Sequence, residues 1–320
     1  MFQKAQILSF YTDTPLHAGA GGSVSWVDLP IQREKHTNLP IVQGSGIKGA
    51  LRDWATQRKR ESADIVTVFG PEKERAHEHG GCLSLTDARL LLMPVRSFAG
   101  VFAWVTCKLV LERFLRDLRA ARDTPPQGPG CAVFDETLLG QLPTETDEVL
   151  LTSTPRLKTG QGKVVLEDAA FTPRSGDDGK AAEAVAAALL PYLPADPLGQ
   201  RLSSHLAIVS NDAFRDFAVY STEIVTRIAI DQAKGTVQTG ALWTEELLPT
   251  DTVLYCLALA AKPRKAGKEV ISDAEVLPFV TEKILGGAGL LQLGGDETVG
   301  RGLVRVAWRK APKAPEKKEG

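Results

Sequence analysis

Gly44-Ser45-Gly46 stands directly before Ile47-Lys48, and Arg52 follows one helical turn later. Free amides at a helix start, a hydroxyl and a nearby cation suit an RNA phosphate, because unpaired N–H groups and the positive end of the helix dipole face the anion. The same residues also make a glycine-capped structural helix with Arg52 in solvent. A second glycine-rich stretch, Leu293-Gly294-Gly295-Asp296-Glu297-Thr298-Val299-Gly300-Arg301-Gly302, allows close backbone approach to another chain or a nucleic acid. There Gly300 and Arg301 would offer an amide and a charge, although Asp296 and Glu297 would repel phosphate and a plain strand-entry loop explains the glycines as well. His17 and His36 can each donate a hydrogen bond to phosphate, and a neutral imidazole can shuttle a proton near pH 7. Arg33 and Lys35 would attract an RNA backbone, or remain simple surface charges. His77-Glu78-His79-Gly80-Gly81-Cys82 contains zinc-type donors but leaves the fourth ligand unidentified, which argues against structural zinc and for a polar loop leading into a strand.

The elements that must position these residues belong to a folded, loop-rich chain. Its 320 residues are 43% hydrophobic and 24% charged, with 29 glycines and 19 prolines, which excludes a coiled coil, a collagen-like repeat and a mostly disordered protein. The net charge of −1 gives no strong global field, so partner choice rests on local patches. Residues 1–60 carry a local balance of +4 and residues 301–320 one of +5, and both could face an anion. Neither a signal peptide nor a membrane-spanning apolar run is visible, so the expected location is cytoplasmic with no membrane partner. Cys82, Cys107, Cys131 and Cys256 are sparse and form no CxxC pair, so reduced thiols are expected.

Periodicity predicts a strand over Ala5–Tyr11, a long polar loop, and a helix over Gly46–Arg58 capped by Ser45. It predicts a strand over Leu83–Met93 and a helix over 100–120, where Cys107, Leu111, Phe114 and Leu118 line one side. DTPPQGPG at 123–130 and SGDDG at 175–179 read as loops, and 180–190 as a short helix. Val219–Ile230 alternates as a strand and reverses through Gln232–Gly235 into Thr236–Leu242, a projecting hairpin in which Ile224 and Ile228 anchor and Arg227 faces RNA. Trp243 packs beneath that hairpin or stacks on a base. Val253–Ala261, a helix starting near Pro278 and ending by 285, and a strand over Leu303–Ala307 complete the pattern. These elements thread through an α+β, ferredoxin-like β-α-β-β-α-β plan with large insertions.

PLHAGAGG at 15–22, VDLPIQREKHTNLPIVQGSGIKGALR at 27–52, TRIAIDQAKGTVQTGALWTEELLP at 226–249 and LGGDETVGRG at 293–302 together carry a resemblance that spans nearly the whole chain. The sequence resembles the Cas7-like RAMP superfamily and, more closely, the Cmr4 family of backbone subunits from type III-B CRISPR RNA-guided complexes. That resemblance implies a composite domain over 1–308 with an RNA-recognition-like palm, helical insertions and a thumb hairpin at 219–242, and a flexible tail at 309–320. It implies binding of a CRISPR guide RNA through His17, Gly44, Ser45, Gly46, Lys48, Arg52, Gly300 and Arg301. Neighbouring copies of the chain, other Cmr effector subunits and a complementary target RNA are the implied partners. Watson–Crick pairing would then supply the specificity while each subunit contributes modest phosphate contacts.

The resemblance also places Asp28 in the loop whose aspartate supports cleavage of guide-bound target RNA, with Arg33, Lys35 and His36 beside it. Unaligned, a single loop aspartate proves little. In this reading the RNA 2′-hydroxyl attacks the adjacent phosphate in line, leaving a 2′,3′-cyclic phosphate and a 5′-hydroxyl. Asp28 would position Mg2+ or Mn2+ or orient the ribose directly, and no organic cofactor is expected. A cleavage-inactive guide-binding scaffold and a CRISPR precursor-RNA processing enzyme are the alternatives.

Overall fold

The computed structural model describes residues 2–22, 26–58, 63–75, 77–122, 133–174, 179–263, 271–286 and 289–309. The 123–130 loop, Cys131, residues 175–178, most of the basic linker after Ala261 and residues 310–320 of the expected tail lie outside the described residues.

Strand β1 (Phe2–Thr12) is followed by β2 (Ile41–Val42), α1 (Gly44–Arg58), α2 (Ala63–Phe69), β3 (Leu83–Leu85), β4 (Ala88–Ser97), β5 (Val101–Cys107) and α3 (Lys108–Ala120). The middle of the chain supplies α4 (Glu136–Leu139), β6 (Glu148–Leu151), β7 (Val164–Leu166), β8 (Ala169–Pro173), α5 (Lys180–Leu189), α6 (Leu202–His205) and β9 (Leu206–Val209). Helix α7 (Asn211–Tyr220) leads into β10 (Glu223–Asp231) and β11 (Thr236–Leu247). The order closes with β12 (Val253–Ala261), α8 (Asp273–Pro278), β13 (Leu290–Gln292) and β14 (Leu303–Ala307).

The fold is mixed α/β. Its large sheet runs β13-β14-β1-β12-β4-β5-β9-β6-β8-β7, with β2 beside β4 and β3 beside β12, and Ser97 of β4 pairs with Leu166 of β7. Within it, β14, β1, β12 and β4 lie side by side and antiparallel. Alternation along β1 sends Ile7 and Tyr11 to the α3 side and Leu8 and Phe10 to the side covered by α1, α2 and α8. Both faces are therefore apolar, and β1 is buried over most of its length. On the α1 helix, Ile47, Leu51 and Ala55 recur at four-residue spacing and fill that second core. On α3, Val110, Leu111, Phe114, Leu115 and Leu118 do the same for the first. The pair β10–β11 forms a separate two-stranded hairpin.

Several local expectations are corrected. The helix expected over 100–120 begins only at Lys108, because Val101, Phe102, Trp104, Val105 and Thr106 are β-branched or aromatic and form β5. The strand expected over Leu83–Met93 breaks at Thr86–Asp87, where the backbone of Gly44 packs in. A Cβ at Gly44 would lie 2.5 Å from the Leu85 carbonyl oxygen. For the same reason Ser45 is not the cap of α1. It sits inside the first turn, and the Gly44 N–H instead donates to Asp87 Oδ1 at 2.9 Å. Val219 belongs to α7, whose start is fixed by Ser210 accepting from the Ala213 N–H, so the hairpin begins at Glu223 and its second strand runs on to Leu247. Pro278 ends α8 rather than starting it, since Ser272 and Glu275 form a capping box that starts the helix at Asp273, five residues earlier. The chain continues as a wider π-helical segment to Leu285.

Candidate nucleic-acid interface

Two early segments, 15–20 and 26–33, wrap the base of the hairpin. Leu16 and Leu248 exchange both backbone hydrogen bonds at 2.9 Å. The Leu29 N–H donates to the Thr244 carbonyl and the Glu246 N–H donates to the Leu29 carbonyl, both at 3.0 Å, so residues 28–29 cover the outer edge of β11. Asp28 is exposed at this junction. Its Oδ2 accepts from the Thr244 N–H and from the Thr244 hydroxyl, each at 2.8 Å, while its own N–H donates to Thr244 Oγ1 at 3.0 Å. The Thr244 backbone N–H, and then its hydroxyl, hold the Asp28 carboxyl below its ordinary range. Oδ1 receives no hydrogen bond from a described residue.

Glu246 ties the same region together from beneath. It is 6% exposed, and its carboxylate accepts from the Thr222 hydroxyl at 2.9 Å, the Ile31 N–H at 3.1 Å and the Arg33 guanidinium. Its carbonyl accepts from His17 Nδ1–H at 2.8 Å, so a neutral His17 keeps Nε2 as an acceptor. Arg33 also donates to the carbonyls of Asn38 and Ala218, and its charge is met within the chain rather than left for phosphate. Lys35 and His36 stay on the surface, with His36 Nε2 accepting from Arg113 at 3.2 Å. Neighbouring Glu34 pairs with Arg113 at 2.8 Å. Burial acts to raise its carboxyl, but the Thr37 hydroxyl and Arg113 outweigh it and hold it below the usual value.

The 293–302 loop packs directly on this base. Gly295 N–H donates to the His17 carbonyl and Gly302 N–H to the Pro15 carbonyl, both at 2.9 Å. Gly294 and Gly302 have positive φ, and a Cβ would meet the His17 carbonyl oxygen at 2.2 Å and the Leu293 carbonyl oxygen at 1.9 Å. Those two glycines therefore serve an internal close approach. Gly300 is open to solvent, and Arg301 lies close enough to Glu223 to oppose the upward push of burial on that carboxyl.

At α1 the expected phosphate contacts divide. Ser45 and Gly46 are exposed, whereas Gly44 is buried. Lys48 Nζ donates to the Leu83 carbonyl at 2.8 Å, and burial pulls its pKa down. Arg52 donates to the Pro71 carbonyl and pairs with Glu72 at 2.9 Å.

On the hairpin, Arg227 stands opposite Trp243, and both reach Glu245, at 3.5 and 2.7 Å. Ile224 and Ile228, expected to anchor the hairpin, are instead 40% and 47% exposed; Ile228 lies toward the tip opposite Leu242, itself 63% exposed, whereas Ile224 lies at the base opposite the buried Glu246. Reading the sequence alone missed Thr244, Thr222 and Trp26. Trp26, 77% exposed and two residues before Asp28, is a ready surface for a base, and an aromatic beside a loop acid was the available signal. Thr244 gave no signal, since its partner lies 216 positions away.

Among the described residues no three His, Cys, Asp or Glu side chains gather as a metal site, so the 77–82 donors do not assemble one. Asp28 Oδ1 offers a hard cation one oxygen, which fits an ion taking its other ligands from RNA phosphate and water. No described helix is long and apolar enough to cross a membrane.

The RAMP superfamily model matches residues 9–305. A protein of Pyrococcus furiosus described as the CRISPR system Cmr endoribonuclease Cmr4 is 38% identical over 304 residues, covering 95% of each chain. The CRISPR system CMR subunit Cmr4 of Saccharolobus solfataricus is 26% identical, over 92% of this chain and 93% of its own. The crystal structure of oligomeric Cmr4 from Pyrococcus furiosus superposes with a TM-score of 0.70 at 31% identity, covering 97% and 99% of the two chains. A cryo-EM structure of the type III-B Cmr-beta complex bound to cognate target RNA contains a chain of the same fold, with a TM-score of 0.72 at 21% identity. The chain thus belongs to the RAMP superfamily and, within it, to the Cmr4 family.

Proposed function

We propose that this chain is a guide-RNA-binding backbone subunit of a type III-B CRISPR effector and, within that complex, an endoribonuclease that cleaves complementary target RNA. The observation that carries the reading is the exposed Asp28 carboxylate held by Thr244 at a hairpin base to which His17, and through it the 293–302 loop, are also bonded, in a Cmr4-family chain. The four-strand order β14-β1-β12-β4 with α1 and α8 on one face is taken as the ferredoxin-like palm, and β10–β11 as the thumb. Ser45 remains exposed for a guide phosphate at the α1 start and Arg301 supplies favourable charge, whereas the Gly46 and Gly300 N–H groups already donate to the carbonyls of Gln43 and Glu297, both at 2.9 Å. His17 is fixed through Nδ1, and its Nε2 lies against Gly19, where an added Cβ would meet it at 2.8 Å. Copies of the chain and other Cmr subunits extend the cradle, in a cytoplasmic particle.

In the cleavage step, the target 2′-oxygen forms a bond to its adjacent phosphorus while the bond from phosphorus to the 5′-oxygen breaks. The 2′-proton departs and the leaving oxygen gains one. Asp28 contributes by orienting the ribose or holding Mg2+ or Mn2+ through Oδ1. Such an ion supplies stabilisation of the added negative charge on the phosphate and leaving oxygen. The exposed apolar hairpin tip separates or turns the paired nucleotides so that attack is in line.

The test is a structure of the guide-bound assembly with unreactive target RNA, together with end analysis of cleaved target. Asp28 beside a target phosphate and evenly spaced 2′,3′-cyclic phosphate ends support the reading. Asp28 remote from every target phosphate removes the cleavage assignment, and a particle that excludes guide RNA removes the wider one.

A further inference from the structure

Resting on the proposed role of Asp28, we infer that Thr244 is the positioning residue that fixes the Asp28 carboxylate to the thumb strand β11 and selects Oδ1 as the oxygen presented to target RNA. Asp28 is exposed and lies on a loop, so packing does not hold its side chain. Three hydrogen bonds to a single residue do: two into Oδ2 and one from the Asp28 N–H. A fourth, from the Leu29 N–H to the Thr244 carbonyl, locks the next peptide to the same position. Every polar group of Thr244 is therefore engaged with residues 28–29.

Two consequences follow from the placement. Oδ2 already accepts two donors, which leaves Oδ1 as the oxygen without a described hydrogen bond. Thr244 also sits in β11 opposite Thr226 of β10, so the carboxylate rides on the hairpin itself. A shift of the hairpin base against the 26–33 segment would move Asp28 with it, and cleavage becomes sensitive to thumb position without any new contact to RNA.

Thr244→Val keeps the β-branched shape and the backbone donor but removes the hydroxyl from both bonds it makes. Thr244→Ser restores that hydroxyl. Each variant is assembled with guide RNA and the companion subunits, with other nuclease subunits silenced, and compared with wild type and Asp28→Asn. The measurements are the single-turnover cleavage rate at saturating matched target with Mg2+, target affinity, and amide hydrogen exchange at Asp28 in the full-length chain.

Thr244→Val is expected to cleave about 10-fold more slowly with target affinity unchanged. Its Asp28 amide should exchange at least about 10-fold faster, because the acceptor of that N–H is gone. Thr244→Ser should return both values to within about twofold of wild type. Wild-type cleavage and wild-type exchange in Thr244→Val, or a serine variant as impaired as the valine one, overturn the inference. Asp28→Asn separates the two levels: if it cleaves as fast as wild type, the catalytic reading of Asp28 fails. The exchange result still decides whether Thr244 holds the loop.

Discussion

The two ends of one hairpin are built differently. At the base, Thr244 and Glu246 of β11 and the following Leu248 are bonded to Leu16, His17, Asp28, Leu29, Ile31 and Arg33, and Glu245 holds Arg227 and Trp243 across the strands. Toward the tip, Ile228, Ile230, Val237 and Leu242 lie exposed, and the register slips between the Ile228–Leu242 and Ile230–Val237 pairs, with Gly240 at φ +78°. A base satisfied by internal bonds can aim a carboxylate, whereas a tip with uncovered apolar side chains has surface left for a partner. Position and contact are thus assigned to opposite ends of the same strands.

Breaking the base has the largest expected effect. Glu246→Ala leaves the Arg33 guanidinium, the Ile31 N–H and the Thr222 hydroxyl without their shared acceptor. Loss of a buried ion-pair partner costs about 3–5 kcal/mol, so urea unfolding of the full chain should show a loss of that order. A loss below about 1 kcal/mol would mean that the base is not organised around this carboxylate.

The tip should behave in the opposite way. Ile228→Ser with Leu242→Ser removes exposed apolar groups and should change stability by no more than about 0.5 kcal/mol per site. In the assembled complex, target cleavage should fall by roughly fivefold or more, as the substrate loses its in-line geometry. Unchanged cleavage would assign the apolar tip no part in the reaction.

The smallest effect is expected at α1. Lys48 is bonded to the Leu83 carbonyl, so Lys48→Met should leave the salt dependence of guide binding unchanged. Were Lys48 a contact to a single-stranded phosphate, the slope of log affinity against log salt would fall by about 0.7.

Legibility in the sequence followed the same division between local and remote causes. Val253–Ala261 and Leu303–Ala307 were readable to the residue, because a continuous apolar run in the first and apolar residues broken only by Arg305 in the second are bounded by local turn signals. The hairpin was readable from alternation and from the Gln232–Gly235 reversal. The break at Thr86–Asp87 was not, since it depends on Gly44 approaching from another element. Pattern matching pointed to Asp28, but its partner Thr244 sits inside ordinary strand alternation and nothing nearby marks it. Ile224 and Ile228 read as anchors because alternation gives the face of an apolar residue and not whether that face is covered.

The central claim is that Asp28, aimed from the hairpin base, supports cleavage of guide-paired RNA. Its most direct measurement is single-turnover cleavage of matched target by complexes assembled with wild-type or Asp28→Asn protein, in Mg2+ and with other nuclease subunits silenced. Guide and target binding should be equal in the two, and the asparagine variant should cleave at least about 100-fold more slowly. Equal cleavage by both complexes would contradict the account.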